Sequence, residues 1–425
     1  MNTHPPQAHC PQVDPSQTHS SQAHSSQAHS SQVRPIVNYV KPTIRELIIL
    51  LSAVICCYCI LYGPQVLINR WVTTYSFTPV QASALIYVTL IPMSIAPLSY
   101  GVFLGMSDTR MVMIWALSAL ACMTALLYYT ESYMLIMVCR FAQGVTLPAI
   151  LTAIMVRLSS TGPVEGPRLI IYYLCATVIG GLLGRLVTGY YVDFIDLHTV
   201  WWLWAGLCMS LSIALLCLPS YHVPFNSHTI TRHTLKRALK LSSVPSTLLC
   251  VALMFGGFAA ALNLLPFRAD ALDITAGNNG GSVAIAHRYW GYLAGVIIAL
   301  QAQKINHVLG GKGRAPALGL LIMAGALLWG TLSLTYAPLV VMVLGLCIGL
   351  FITHPLLTAY LTQLAPSERG LMSGLYVSSY YIGGASCSWL AGLHMKYFGW
   401  ERTLTMLALM LMVASWLVWF TLKHK

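Results

Sequence analysis

The sequence predicts an all-α membrane protein with twelve transmembrane helices in two pseudo-symmetric six-helix halves. Composition, the spacing of apolar stretches and an internal repeat predict it. Of 425 residues, 57% are hydrophobic and only 8% charged, and the mean hydropathy is +0.71. A soluble chain carries about a quarter charged residues, so 8% could not cover a water-facing surface of this size. The 21 Pro and 32 Gly scattered through long apolar runs indicate helices rather than barrel strands, which read as short alternating segments.

A helix crosses the hydrocarbon with about 20 apolar residues. Twelve stretches meet that requirement: 45–68, 80–104, 111–130, 134–157, 169–192, 200–218, 246–267, 287–306, 315–335, 338–363, 371–395 and 402–422. The longest polar break, 219–245, divides them six and six. The expected domains are a tail over 1–43, a bundle over 44–218, a linker over 219–245 and a second bundle over 246–425. The repeat agrees with this division. Ile179-Gly180-Gly181 followed by Gly189 in span five matches Ile382-Gly383-Gly384 followed by Gly392 in span eleven, at an offset of 382 − 179 = 203. Pro163 and Glu165 meet Pro366 and Glu368 in the same register. Two repeated bundles are a common plan among secondary transporters.

The tail is a different material. Gln17 to Ser31 repeats Gln, His, Ser and Ala in fives, with too little apolar surface to fold and no signal-peptide pattern. His4, His9, His19, His24 and His29 are metal-capable by type, but a repeat expanding in an unconstrained segment explains them, and no metal centre is expected. Eleven of the 12 Cys lie in apolar stretches without ligand spacing, as small packing residues. The net charge of +12 reads as topology rather than nucleic-acid binding. With the N-terminus cytoplasmic, 16 Lys and Arg fall on the inner side and 5 on the outer, so both termini are expected inside. Arg232, Lys236, Arg237 and Lys240 of the linker form a basic segment suited to the anionic inner leaflet.

No enzyme motif is present. Gly310-Gly311-Lys312-Gly313-Arg314 lacks the Ser or Thr and the preceding strand of a phosphate loop. No enzyme activity and no cofactor are expected.

Two cations remain inside spans, Arg140 and Arg185, and none of the 11 acidic residues lies mid-span. An intramembrane charge costs a few kcal/mol on insertion scales and marks function by default. The absent counter-ion therefore points to an anionic or zwitterionic substrate. His354, beside Pro355, is the mid-span group titrating near neutrality. Gln143, Tyr58, Tyr62, Asn263, Tyr376 and Tyr380 complete the candidate cavity residues. Gly144, Gly180, Gly181, Gly184, Gly383 and Gly384 are candidate packing surfaces, with spans five and eleven expected to slide on helices of the opposite half.

Arg140-Phe-Ala-Gln143-Gly144 resembles the RxxQG motif of major facilitator transporters of the drug:proton antiporter type. Gly180-Gly181-Leu-Leu-Gly184-Arg185 and the stretch from Ala365 to Gly384 resemble the YnfM-like bacterial inner-membrane branch. The resemblance covers about residues 45–422. It implies a multi-pass protein of the bacterial inner membrane, working by alternating access as a monomer and exporting a small organic molecule against proton entry. The loop after span two departs from the family's G-x-x-x-D-R-x-G-R-R, since Gly101 is followed by a displaced Asp108 and the basic cluster is reduced to Arg110. These three are the candidate gating residues. Import of organic acids, and a non-transporting sensor working through its tail, are the competing functions.

Overall fold

The computed structural model describes residues 41–104, 108–161, 165–218, 232–275, 281–311, 313–365 and 369–423. The tail histidines, residues 105–107, Pro163, residues 219–231 of the linker, Lys312, Pro366 and Glu368 lie outside the described residues.

All described elements are helical. The first span is α1, Ile44–Tyr62. Thr43 caps it by accepting from the Glu46 N–H at 3.2 Å. Gly63 and Pro64 then tighten the chain into a 3-10 segment, Gly63–Leu67, which leads into α2, Ile68–Tyr75. Proline lacks the N–H that would serve the carbonyl four residues back, so a break at this point is expected physically. The next spans are α3 (Pro79–Leu104), α4 (Thr109–Leu126), α5 (Tyr133–Ser159), α6 (Glu165–Phe194) and α7 (Thr199–Leu216). The linker holds α8, Arg232–Lys240, with Ala238 buried and Lys236, Arg237 and Lys240 exposed. Then follow α9 (Ser243–Thr275), α10 (Ser282–His287), α11 (Gly291–Val308), α12 (Arg314–Thr331), α13 (Tyr336–Leu364) and the helical trace α14 (Arg369–Lys423).

Two boundaries differ from the sequence expectation. The eighth span, expected from 287, starts as α10 and a 3-10 turn over Arg288–Trp290 before α11 begins at Gly291. Gln301, Gln303, Lys304, Asn306 and His307 make the second half of α11 polar, and it is not among the ten helices long and apolar enough to cross a membrane. Spans eleven and twelve run together as α14, broken at Gly399. There φ is +78° and ψ −178°, a combination open essentially to glycine alone. The turn that reverses the chain is thus a single residue.

Helices α1, α4, α5, α6 and α7 pack chiefly within a first set, and α9, α11, α12, α13 and α14 within a second, while α3 packs about equally on α5 and α14. The two sets meet along α3 with α14 and along α6 with α10 and α11. At one end of the first set a buried ion pair joins Arg157 of α5 to Glu46 of α1 at 2.8 Å.

Candidate functional site

The break in α1 decides where the two buried arginines go. Pro64 strips the Ile60 carbonyl of its helical donor, and Arg140 of α5 supplies another, at 3.1 Å from one terminal nitrogen. The same guanidinium donates to Leu61 O at 3.3 Å, to Leu85 O of α3 at 3.0 Å and to Gln143 Oε1 at 2.7 Å. Gln143 passes its own N–H to Thr124 Oγ1 of α4 at 2.9 Å. Arg140 and Gln143 are both fully buried and tie four helices of one bundle together. Neither lines the central pocket described below. The two buried arginines thus grip the α1 break through different partners, Arg140 through the Ile60 and Leu61 carbonyls and Arg185 through the Gln65 side chain.

Arg185 of α6 approaches from the pocket side. Its Nε and one terminal nitrogen both donate to Gln65 Oε1, at 2.9 and 2.5 Å. The guanidinium also donates to Gly181 O and, at 3.1 Å, to the Tyr292 hydroxyl. Its carbon lies 4.8 Å from the Tyr62 ring centre, 4.4 Å from Tyr289 and 4.6 Å from Tyr292, where cation–π attraction contributes about 1–2 kcal/mol when desolvated. All these partners are neutral, so among the described residues a buried cation is solvated by an amide, a carbonyl and three phenols with no opposing charge in contact.

Gln65 carries the contact across the bundles. Its Nε2 donates to Asn263 Oδ1 of α9 at 2.5 Å, and Asn263 Nδ2 donates to Ser388 Oγ of α14 at 3.0 Å. Arg185 and Ser388 stand 388 − 185 = 203 residues apart, the offset of the repeat. The chain Arg185–Gln65–Asn263–Ser388 is thus nearly two-fold, one polar pair from each half. Asn69 of α2 adds a second link, donating to Pro266 O at 2.8 Å. The proline pattern repeats too: Pro266 frees Leu262 O, and the Tyr289 hydroxyl takes it at 3.1 Å.

Arg185, Gln65 and Asn263 form the polar end of a pocket whose other walls include Tyr62, Phe255 and Phe258. In this closed arrangement it has room for about one water molecule. Tyr58 stands behind Tyr62, with ring centres 5.9 Å apart. His354, Tyr376 and Tyr380 form a neighbouring cluster. The Tyr376 hydroxyl lies against His354 Nδ1 and donates to the His354 carbonyl at 3.2 Å. Tyr380 stacks on Phe255 at 3.6 Å and so connects this cluster to the pocket wall.

The glycines set helix separations. A Cβ on Gly180 would lie 2.6 Å from Ile55 O, and one on Gly184 2.5 Å from Cys59 Cα. A Cβ on Gly144 would run into Thr89 O, and one on Gly383 into Ala252 O. These are contacts of α6 with α1, α5 with α3 and α14 with α9. The expectation that spans five and eleven use them against the opposite half is corrected for Gly180, Gly184 and Gly383. Each half closes its own first and fifth spans this way, since only a bare backbone permits so near an approach. Gly384 faces Phe255 and Leu90, and Gly181 faces Arg185, Tyr62 and Tyr292, so these two do border the opposite half.

Of the expected gating trio, Asp108 and Arg110 have local partners. Gly101 lies within α3. Asp108 caps α4 by accepting from the Arg110 N–H at 2.9 Å, and Arg110 donates to Leu215 O and Leu216 O of α7 at 3.0 and 2.6 Å. Both side chains serve helix ends inside the first bundle.

Sequence reasoning passed over Gln65, Tyr289, Tyr292 and Ser388. Gln65 adjoined a Gly-Pro break in a polar-poor span, and Ser388 was reachable from Arg185 through the repeat offset. Tyr289 and Tyr292, near the start of their span, carry no charge or motif that sets them apart in the sequence.

Residues 50–385 match the family model described as Major Facilitator Superfamily. The chain is 23% identical over 380 residues to the uncharacterized MFS-type transporter YybF of Bacillus subtilis strain 168, covering 85% of this chain and 89% of that protein. It is 24% identical over 385 residues to the inner membrane transport protein YnfM of Escherichia coli strain K12, covering 87% and 88%. The fold matches the solved structure of a point mutant of the nucleoside transporter NupG with a TM-score of 0.69 at 15% identity, over 88% of this chain and 99% of that one. It matches the human organic anion transporter MFSD10 (TETRAN) with a TM-score of 0.64 at 15% identity, over 89% and 100%.

Proposed function

Because the chain belongs to the Major Facilitator Superfamily, whose members named above are transporters and not enzymes, we propose that it exports a small anionic or zwitterionic organic compound in exchange for protons. The proposal places it in the bacterial inner membrane, as a monomer with both termini cytoplasmic. It follows the drug:proton antiporter type that the Arg140–Gln143–Gly144 motif resembles.

The observation that carries the substrate charge is Arg185. A fully buried guanidinium with only neutral partners keeps an unmatched charge in low dielectric. A substrate anion in the pocket supplies the match. Arg140 is a positioning residue in this scheme, holding the α1 break in shape behind the site. Gln65 and Asn263 form the contact that separates when the halves rock. His354, hydrogen-bonded to Tyr376 beside the pocket wall, is the proposed proton carrier, since no carboxylate lies mid-span. Tight glycine contacts within each half let each bundle move as a rigid body.

The test is proton movement in inverted vesicles, read with an internal pH dye against carboxylates, zwitterions and lipophilic cations. A pH change evoked by carboxylate-bearing compounds supports proton-coupled export of anions. A response confined to cations overturns the charge assignment and leaves the family membership intact. Uptake that runs only inward in whole cells makes the protein an importer instead.

A further inference from the structure

We infer that Gln65 is a built-in stand-in for a substrate carboxylate: the carboxylate of an aromatic or similarly flat apolar monocarboxylate displaces the Gln65 amide from Arg185, and this displacement unhooks the two halves. The inference rests on the proposed transport of anions and names the substrate class and the residue that reads it.

The geometry is that of an anion site filled by an amide. Gln65 Oε1 takes both Nε and a terminal nitrogen of Arg185, at 2.9 and 2.5 Å. That two-donor edge is the one guanidinium groups present to carboxylates in fork-shaped pairing. An amide oxygen satisfies the hydrogen bonds but brings no full charge, so the buried cation stays unmatched. A carboxylate supplies both, and the forked pairing is the geometry in which its attraction to the buried guanidinium repays the cost of its own desolvation.

The surroundings select the rest of the molecule. Arg185, Gln65 and Asn263, with the phenols Tyr62 and Tyr292, supply the polar part of the lining, and Phe255, Phe258 and aliphatic side chains supply the apolar part. Phe255 and Phe258 stack with ring centres 6.1 Å apart and give the lining an aromatic part. A carboxylate head with a flat apolar body matches the chemistry of both parts, and the pocket, which here has room for about one water molecule, must widen to admit it. A lipophilic cation would set its charge against Arg185.

The exchange has a mechanical consequence. Gln65 holds Arg185 with its oxygen and Asn263 with its nitrogen. Released from Arg185, its amide no longer has a fixed orientation from which to reach Asn263, and the Arg185–Gln65–Asn263–Ser388 chain opens at its centre. The recognition event and the opening of the contact between halves are then the same event. A substrate with no carboxylate leaves the bridge shut.

The experiment is thermal unfolding of the purified full chain in detergent with benzoate, 2-naphthoate, benzamide and benzylamine. Wild type should be stabilised by the two carboxylates and not by the amide or the amine, and Arg185→Gln should lose the response. Gln65→Ala removes the competitor and should respond at severalfold lower benzoate concentration. Gln65→Glu places a permanent carboxylate on Arg185 and should abolish the response while remaining folded. Asn263→Ala, which leaves Arg185 untouched, is the second variant should Gln65→Ala not accumulate, and it too should shift the midpoint downward. Equal benzoate midpoints in wild type and these variants overturn the inference, as does stabilisation by benzylamine or none by either carboxylate. Vesicle flux separates the two levels. Export of a non-carboxylate with no benzoate response overturns only the carboxylate exchange, whereas no flux of any compound overturns the transport proposal itself.

Discussion

Replacing Arg140 by Met removes its donors to the carbonyls at the α1 break while keeping a long apolar side chain. Four hydrogen bonds disappear, to Ile60 O, Leu61 O, Leu85 O and Gln143 Oε1. At roughly 0.6–1.7 kcal/mol for a polar contact in a membrane bundle, their sum is about 2–7 kcal/mol. Removing the charge recovers about 3 kcal/mol of insertion cost, so the single substitution measures a difference between similar terms. A double-mutant cycle with Pro64 isolates one of them. With proline at 64, Ile60 O has no helical donor and depends on Arg140. Pro64→Ala restores a backbone N–H that can take its place. Arg140→Met should therefore cost about 1 kcal/mol less in the Pro64→Ala background than in wild type. Reversible unfolding in mixed micelles gives the four stabilities. Additivity within about 0.3 kcal/mol would refute the claim that Arg140 is placed to serve the carbonyl freed by Pro64.

The same reasoning applied to the second half predicts a coupling of about 1 kcal/mol between Tyr289→Phe and Pro266→Ala, read in the same assay, because the Tyr289 hydroxyl takes the carbonyl that Pro266 frees. Gly184→Ala puts a Cβ 2.5 Å from Cys59 Cα. Forcing α6 and α1 apart should lower stability by about 1–3 kcal/mol, while Gly206→Ala, with open space around it, should not. Asp196 accepts from the His198 and Thr199 N–H groups at the start of α7, at 2.8 and 3.0 Å. Burial disfavours its ionisation, but these backbone bonds and the His198 ring outweigh that and hold its carboxyl below the ordinary 3.8. Its contribution is then complete above that value and lost as the pH falls below it. Asp196→Ala should cost about 1 kcal/mol at pH 7, and the cost should shrink in melts near pH 3.

The broad fold was legible because lipid imposes a coarse rule. Runs of apolar residues near the bilayer thickness must be helices, and a 203-residue offset in the glycine pattern announced the duplication. The finer breaks were less legible. Gly63-Pro64 is a short pair within one long apolar run, and its chemical effect, a carbonyl without a donor, becomes visible only when Arg140 is seen to fill it. Gly399 could be foreseen as a loop glycine but not as the whole turn. The two buried arginines stood out by cost alone. Their division of labour did not, since equal depth in neighbouring helices says nothing about which face each side chain takes. Gln65 escaped because a single amide near a span end carries no charge to flag it, and its importance comes from lying between Arg185 and Asn263 in space.

The central claim is that Arg185 holds the charge of the transported molecule. It is tested most directly by flux of a carboxylate compound in vesicles carrying wild type, Arg185→Lys or Arg185→Gln at matched membrane abundance. Flux should fall strongly in Arg185→Gln and be partly retained in Arg185→Lys, which keeps the charge but not the forked geometry. Wild-type carboxylate flux in Arg185→Gln, from protein of unchanged abundance, would contradict it.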